Sequence, residues 1–310
     1  MNSSPPFPGF IDNSARSSFV ACPTRWYYRH ILSLESITPS PHLRAGKAFA
    51  AALEAGRREF IATDDPATSE ARALQALFEN WDLQIPDDPE VPLKSLPRLV
   101  AALISYFDRY PFRFDSVKPY VVDGKPTVEF TFSVPLEILN PSIEDSNDPL
   151  IYAGRFDMIG SFNNALFVVD EKTTSSLGAS WAGQWELDSQ MVGYCWALQK
   201  YNFPVAGAIL RGVGILTSSI SHTEVIVYAP EWKLKRWHDN LLYDIRRMIS
   251  VWRNLHNFIP QALDKQICRF CPYKILCQVK EPEKWIPQYF KKTLWTPLAQ
   301  ITPPESHQSP

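Results

Sequence analysis

The chain has 310 residues, ample for a buried core in one large domain or two modest ones. Hydrophobic residues make up 45% and charged residues 21%, a balance that excludes disorder as the main state. With 31 Lys and Arg against 33 Asp and Glu the formal net charge is −2, which speaks against polyanion binding through overall positive charge and leaves only a local basic groove. No apolar run approaches the ~18 residues that span a bilayer; the best stretch, 205–216, is broken by Arg211. The N-terminus, Met1-Asn2-Ser3-Ser4-Pro5-Pro6, has neither the charged start nor the apolar core of a signal peptide. A cytoplasmic protein without membrane association is expected, and in a reducing compartment its five cysteines point to metal binding or chemistry rather than disulfides.

Residues 1–13 read as a loose Pro/Ser/Asn arm, 14–290 as one folded domain and 291–310 as a proline-rich tail. The first helix is predicted over 14–34, where Phe19, Cys22, Trp26 and Ile31 share a face. Helices follow over 43–61, 68–81 and 96–110, separated by a proline- and acid-rich loop at 85–92. Strict alternation from Thr127 to Val134 predicts a half-buried strand, and 150–162 a second. Asn163-Asn164 is a two-residue turn that tolerates positive φ. The next strand, 165–169, is continuously apolar and so central, and it runs into Asp170-Glu171-Lys172. A helix over 183–201, strands near 205–216 and 222–229, and a long helix over 231–257 complete the pattern. Helices gathered around one mixed sheet predict a single α/β domain with a helical N-terminal portion.

The hairpin carries the most informative geometry. If Asn163-Asn164 form the turn, Asp157 falls opposite Asp170, with Cβ atoms ~5 Å apart on one face. Like charges there repel unless something positive stands between them. Lys172 lies on that face too, about 7 Å along the strand, while the Glu171 side chain points the other way. Two carboxylates on rigid strands beside a lysine suit a hard divalent cation such as Mg²⁺ or Mn²⁺; the alternative is two solvated strand-end aspartates neutralised by Lys172. Near the C-terminus, Cys268, Cys271 and Cys277 make a C-x2-C-x5-C cluster. Three thiolates need a fourth ligand, for zinc or for an iron–sulfur cluster. Cys22 is the candidate, because Cys195 lies on the apolar side of its helix with Met191 and Leu198.

Asp157 in Gly-Arg-Phe-Asp, the Asp170-x-Lys172 strand end and Gln190-x-x-x-Tyr194 together resemble the PD-(D/E)XK nuclease superfamily. The segment Ser-Ser-Phe-Val-Ala-Cys22-Pro-Thr-Arg-Trp-Tyr-Tyr and the late cysteines resemble its RecB-like exonuclease branch, in which one early and three late cysteines hold a [4Fe–4S] cluster. The resemblance runs from about Ser14 to Cys277. It implies a restriction-endonuclease-like core whose helical N-terminal portion is clamped to the C-terminus by Cys22, Cys268, Cys271 and Cys277, with structural Zn²⁺ as the alternative occupant. It implies Asp157, Asp170 and the backbone carbonyl of Glu171 as ligands of Mg²⁺ or Mn²⁺, Lys172 as the catalytic lysine, and Gln190 and Tyr194 bordering the site. Glu129 resembles an acid found in the preceding strand. The implied activity is phosphodiester hydrolysis on single-stranded DNA or DNA ends, in repair, recombination or replication, with a helicase or recombination protein as partner. One position departs: Gly46-Lys-Ala-Phe-Ala50 has alanine where the family places a metal-binding histidine. A catalytically impaired DNA-binding or scaffold protein is therefore the competing expectation. The run Arg25-Trp26-Tyr27-Tyr28-Arg29 and the residues Lys233, Lys235, Arg236, Arg246 and Arg247 are candidate DNA contacts, against core aromatics and a solvated helix face.

Overall fold

The computed structural model describes residues 5–38, 40–122, 124–143 and 147–294; most of the expected proline-rich tail lies outside them. In chain order the elements are β1 (Phe10–Ile11), α1 (Asn13–Ala21), α2 (Pro23–Trp26), β2 (Leu34–Ser36), α3 (Pro41–Thr63), α4 (Pro66–Glu79), α5 (Leu96–Arg109), β3 (Lys118–Pro119), β4 (Val121–Val122), β5 (Lys125–Pro126), β6 (Val128–Leu139), β7 (Pro149–Phe162), β8 (Ala165–Thr174), α6 (Ala179–Gly183), α7 (Ser189–Lys200), β9 (Val205–Ile215), β10 (Ile220–Tyr228), α8 (Glu231–Arg253), α9 (Lys265–Arg269), α10 (Lys274–Cys277), α11 (Ile286–Tyr289) and β11 (Phe290–Lys292). No helix among the described residues is long and apolar enough to cross a membrane. The chain divides into two compact units, one of Met1–Thr38, Thr131–Gly154 and Lys235–Pro310, the other of Pro39–Phe130 and Arg155–Leu234.

The second unit is built on a mixed sheet. There β7 and β8 are antiparallel, β8 and β9 parallel, β9 and β10 antiparallel, and β3 pairs with β7. Pleating sends alternate residues of each strand to opposite faces. On one face Val213 and Ile215 of β9 join Phe49, Leu53, Leu77, Leu99, Leu103 and Tyr106 from α3, α4 and α5 in one core. Those three helices form because their apolar residues recur at helical spacing, and Asp65 caps α4 by accepting from Thr68 N–H. The opposite face carries Leu210, Gly212 and Gly214, the β9 partners of Asp170, Lys172 and Thr174.

The first unit joins the early and late parts of the sequence. β2 pairs antiparallel with β11, Thr24 N–H donates to the Pro260 carbonyl, and Tyr28, Leu34, Tyr273, Leu276 and Phe290 form a small core. Side-chain packing and a two-stranded sheet therefore make this junction. The N-terminal segment contributes Phe7, 2% exposed, and β1, parallel to β7 at Phe10↔Ile151.

Two predicted helices differ in extent from the expectation. The one expected over 14–34 ends at Ala21, because Pro23 forces Cys22 into extended backbone (φ −164°); the chain re-enters α2 and then a wider π-turn over Tyr27–Ile31. The one expected over 183–201 begins only at Ser189, because α6 ends at Gly183 and the Asp188 carboxylate, accepting from Gln190 and Met191 N–H, starts α7.

Candidate active site

The β7–β8 turn is the one expected. Asn163 and Asn164 both have positive φ, 47° and 61°, the type I′ requirement. Phe162↔Ala165 through Met158↔Val169 are then directly paired, so Asp157 and Asp170 arrive at the next step of the ladder. There the Asp157 carboxylate accepts the Glu171 N–H, Oδ2 to N 2.9 Å, and Lys172 Nζ lies 2.7 Å from Asp170 Oδ2. Burial and the facing Asp170 push the Asp157 carboxyl well up. Asp170, 3% exposed, is also pushed up by burial, against the pull of Lys172. Burial would lower the Lys172 ammonium, but Asp170 and Asp157 hold it above its ordinary range. The juxtaposition of like charges expected from the turn is present.

Glu171 faces the helices. Arg57 of α3 grips its carboxylate with both guanidinium nitrogens, and Tyr106 of α5 donates to Oε1 at 3.0 Å. Burial opposes ionisation, yet Arg57 overrides it and brings Glu171 down to about 2. The same tyrosine oxygen accepts from Arg57 at 3.1 Å and from Arg211 at 3.4 Å. Arg211, the residue that interrupts the apolar run of β9, is 1% exposed. Its two terminal nitrogens hold Asp115 at 2.6 and 2.7 Å, and its Nε holds Glu224 at 2.9 Å. Sequence patterning did not find this network. The available signals were Arg57 on the apolar stripe of α3 and Arg211 inside a buried strand, because a buried arginine requires acidic partners.

Glu129 stands on β6 with φ 53°, a conformation non-glycine residues adopt at a cost. Its carboxylate is nearly enclosed and paired with Arg155; burial raises it to about 7 despite that arginine. Gln190 and Tyr194 share a face of α7 as expected, the amide donating to the phenol oxygen at 2.7 Å, and the Tyr194 ring packs on Phe156 at 5.6 Å. Ala50 is half-buried on α3, one turn before Glu54, which pairs with Arg58. His42 is exposed.

Whether these residues suit a divalent cation follows from their chemistry. Two buried carboxylates, Asp157 raised by burial and by Asp170, and Asp170 raised by burial, are hard oxygen donors whose repulsion a cation relieves. Among the described residues no group of three or more His, Cys, Asp or Glu side chains is gathered to hold a metal. Asp157 and Asp170 would therefore leave the rest of the coordination to water, peptide carbonyl and substrate oxygens, as Mg²⁺ readily accepts.

Cys22, Cys268, Cys271 and Cys277 all belong to the first unit and form no disulfide. Burial raises the Cys271 and Cys277 thiols; Cys22 and Cys268 add to both, and Cys271 adds to Cys277. Cys195 is 1% exposed and pushed up to about 12 by burial, a packing residue as expected. Trp26 and Tyr28 are buried, so those aromatics pack inward. Lys235 pairs with Asp239, and Arg247 with Asp244.

Residues 13–278 match the family model of the PD-(D/E)XK nuclease superfamily. Solved structures that resemble the chain include that of SSO0001 (14% identity, 87% of this chain and 85% of the other, TM-score 0.38). Another is a Eubacterium rectale protein classed provisionally as an exonuclease (10% identity, 84% and 88%, TM-score 0.49). No curated protein sequence matches this one.

Proposed function

We propose that this chain, which belongs to the PD-(D/E)XK nuclease superfamily, is a divalent-metal-dependent DNA exonuclease that hydrolyses phosphodiester bonds in single strands or at DNA ends. The observation that carries the reading is the buried Asp157/Asp170 pair with Lys172 Nζ 2.7 Å from Asp170. Asp157, Asp170 and the Glu171 peptide carbonyl would hold Mg²⁺ or Mn²⁺, which when bound lowers the pKa of a water and offsets charge on the phosphate. Lys172, kept protonated by the two aspartates, orients that water or neutralises the phosphate as charge builds. Arg57 and Tyr106, by fixing the Glu171 side chain on the far face, hold the peptide between Asp170 and Lys172 in place. Gln190 and Tyr194 brace the border of the site as a hydrogen-bonded pair.

Release of label from 5′- and 3′-labelled strands with Mg²⁺ or Mn²⁺ tests the reading. Asp170→Ala is expected to lower the rate by about a hundredfold or more, and equal cleavage by both proteins would overturn it. Ala50 supports a second reading, a DNA-binding scaffold that has lost catalysis. Saturable Mn²⁺ binding abolished by Asp157→Asn separates the two, because a scaffold needs no such ion.

The sequence pattern of Cys22, Cys268, Cys271 and Cys277 favours a [4Fe–4S] cluster, with structural Zn²⁺ as the alternative, although the four are not gathered into a ligand group in this structure. Anaerobically purified protein is expected to be brown and to contain iron, and Cys268→Ser to lose both. Colourless protein with one zinc would assign zinc instead.

A further inference from the structure

Beside Lys172 lies an open cavity of about 490 Å³, within the range of sites that hold small organic ligands. Lys172, Thr174, Ser180, Trp181, Gln184 and Trp185 contribute to its lining, and among the described residues no carboxylate does. Its only formal charge is therefore the lysine already placed at the hydrolytic site.

Two strand positions without side chains seat the tryptophan that forms one wall of the cavity. Gly212 pairs with Lys172, and Gly214 with Thr174, across the parallel β8–β9 ladder. A Cβ at Gly212 would meet the Trp181 ring at 2.6 Å, and one at Gly214 would meet Leu177 at 3.0 Å. The glycines thus let Trp181, 7% exposed, lie directly on the sheet next to Lys172. Trp185 packs edge-to-face against it, ring centroids 5.2 Å apart at 69°, and is itself only half-buried. Its indole nitrogen is itself buried and finds no hydrogen-bond partner among the described residues. Ser180 and Gln184 stand exposed at the rim.

We infer that this cavity is a nucleotide subsite in which Trp185, braced by Trp181, stacks on one unpaired base next to the phosphate presented to Lys172. The inference rests on the nuclease reading and deepens it, since only an unstacked base of a single strand or frayed end offers a free π-face. Aromatic faces bind bases irrespective of sequence, while the rim hydroxyls and the Gln184 amide donate to sugar or phosphate oxygens. The absence of carboxylates suits an anionic strand leaving the site.

Binding of a short fluorescent single-stranded oligonucleotide to the full chain in EDTA, where no hydrolysis occurs, tests the subsite apart from catalysis. Trp185→Leu is expected to weaken binding about tenfold, and Trp185→Phe, which keeps a ring, to stay within about threefold of wild type. An oligonucleotide of abasic sites should bind wild type about tenfold more weakly and be indifferent to Trp185→Leu. Unchanged affinity in Trp185→Leu, equal losses in the Leu and Phe variants, an abasic strand bound as well as a normal one, or no saturable binding by wild type would each overturn the inference. Label release under Mg²⁺ reports the nuclease reading independently: cleavage with a Trp185-insensitive affinity removes the subsite alone, and a Trp185-dependent affinity without cleavage removes the hydrolase alone.

Discussion

Replacing Glu171 by leucine removes a carboxylate and keeps much of its volume. In the native chain that carboxylate is held by Arg57 and Tyr106, with side-chain exposures of 2% for Glu171 and 8% for Arg57. Two routes give its magnitude. Breaking a buried ion pair by deleting one partner costs about 3–5 kcal/mol, because the other charge stays buried and uncompensated. The fall of Glu171 from 4.5 to about 2 corresponds to roughly 3 kcal/mol at about 1.36 kcal/mol per unit. The sign follows from the depressed folded value: this stability is fully present above pH 4.5 and disappears as the pH falls toward 2. Urea unfolding at neutral pH should therefore show Glu171→Leu destabilised by about 3–5 kcal/mol, a large share of the ~5–15 kcal/mol typical of a folded protein. Arg57→Met alone should cost a similar amount, and the double variant clearly less than the sum, since no charge is then stranded. A loss below ~1 kcal/mol for Glu171→Leu, or simple additivity, would refute the account of this network as coupled buried charges.

His30, 5% exposed, is brought down to about 3, first by burial and then by Arg29 and Arg25. Its contribution is complete above pH 6.5 and is lost as the pH falls toward 3, by up to roughly 4–5 kcal/mol; His30→Gln should flatten that part of the urea midpoint–pH curve, and an unchanged curve would count against it. Because Asp157 and Asp170 are both pushed up, calorimetric Mn²⁺ affinity should weaken as pH falls and binding should release protons, visible as a buffer-dependent heat. A pH-independent titration would contradict this. A Cβ at Gly207 would lie 2.0 Å from the Val227 carbonyl oxygen, so Gly207→Ala must separate the β9 and β10 backbones. It is expected to cost about 3 kcal/mol or more, measured by thermal unfolding, with a native-like midpoint as the contrary result.

Much of the candidate site was legible because it depends on local rules. A two-residue turn fixes the register of the hairpin, and a one-residue slip would have turned every side chain to the other face; Asn163-Asn164 thus places Asp157 near Asp170. The same period of two put Lys172 with Asp170 and turned Glu171 away. Helical spacing paired Gln190 with Tyr194. The break after Ala21 and the late start of α7 were also written locally, in Pro23 and in the Asp188 cap, but periodicity alone passes over such single residues.

What neighbours each functional face was not legible. Arg57, Tyr106, Asp115 and Arg211 lie on four segments up to 154 positions apart, and nothing in their own spacing links them. They meet because α3 and α5 pack on the Glu171 face of β8 and β9, where a buried guanidinium requires every available acid and hydroxyl. Gly212 likewise reads as an interruption in an apolar strand; only the tertiary structure shows that the missing side chain seats Trp181, which lines the cavity beside Lys172. Short-range backbone geometry determined where the carboxylates stand. The surroundings that set their charge, and the space a substrate could enter, arose from side chains distant in sequence, because burial and electrostatics depend on proximity in space.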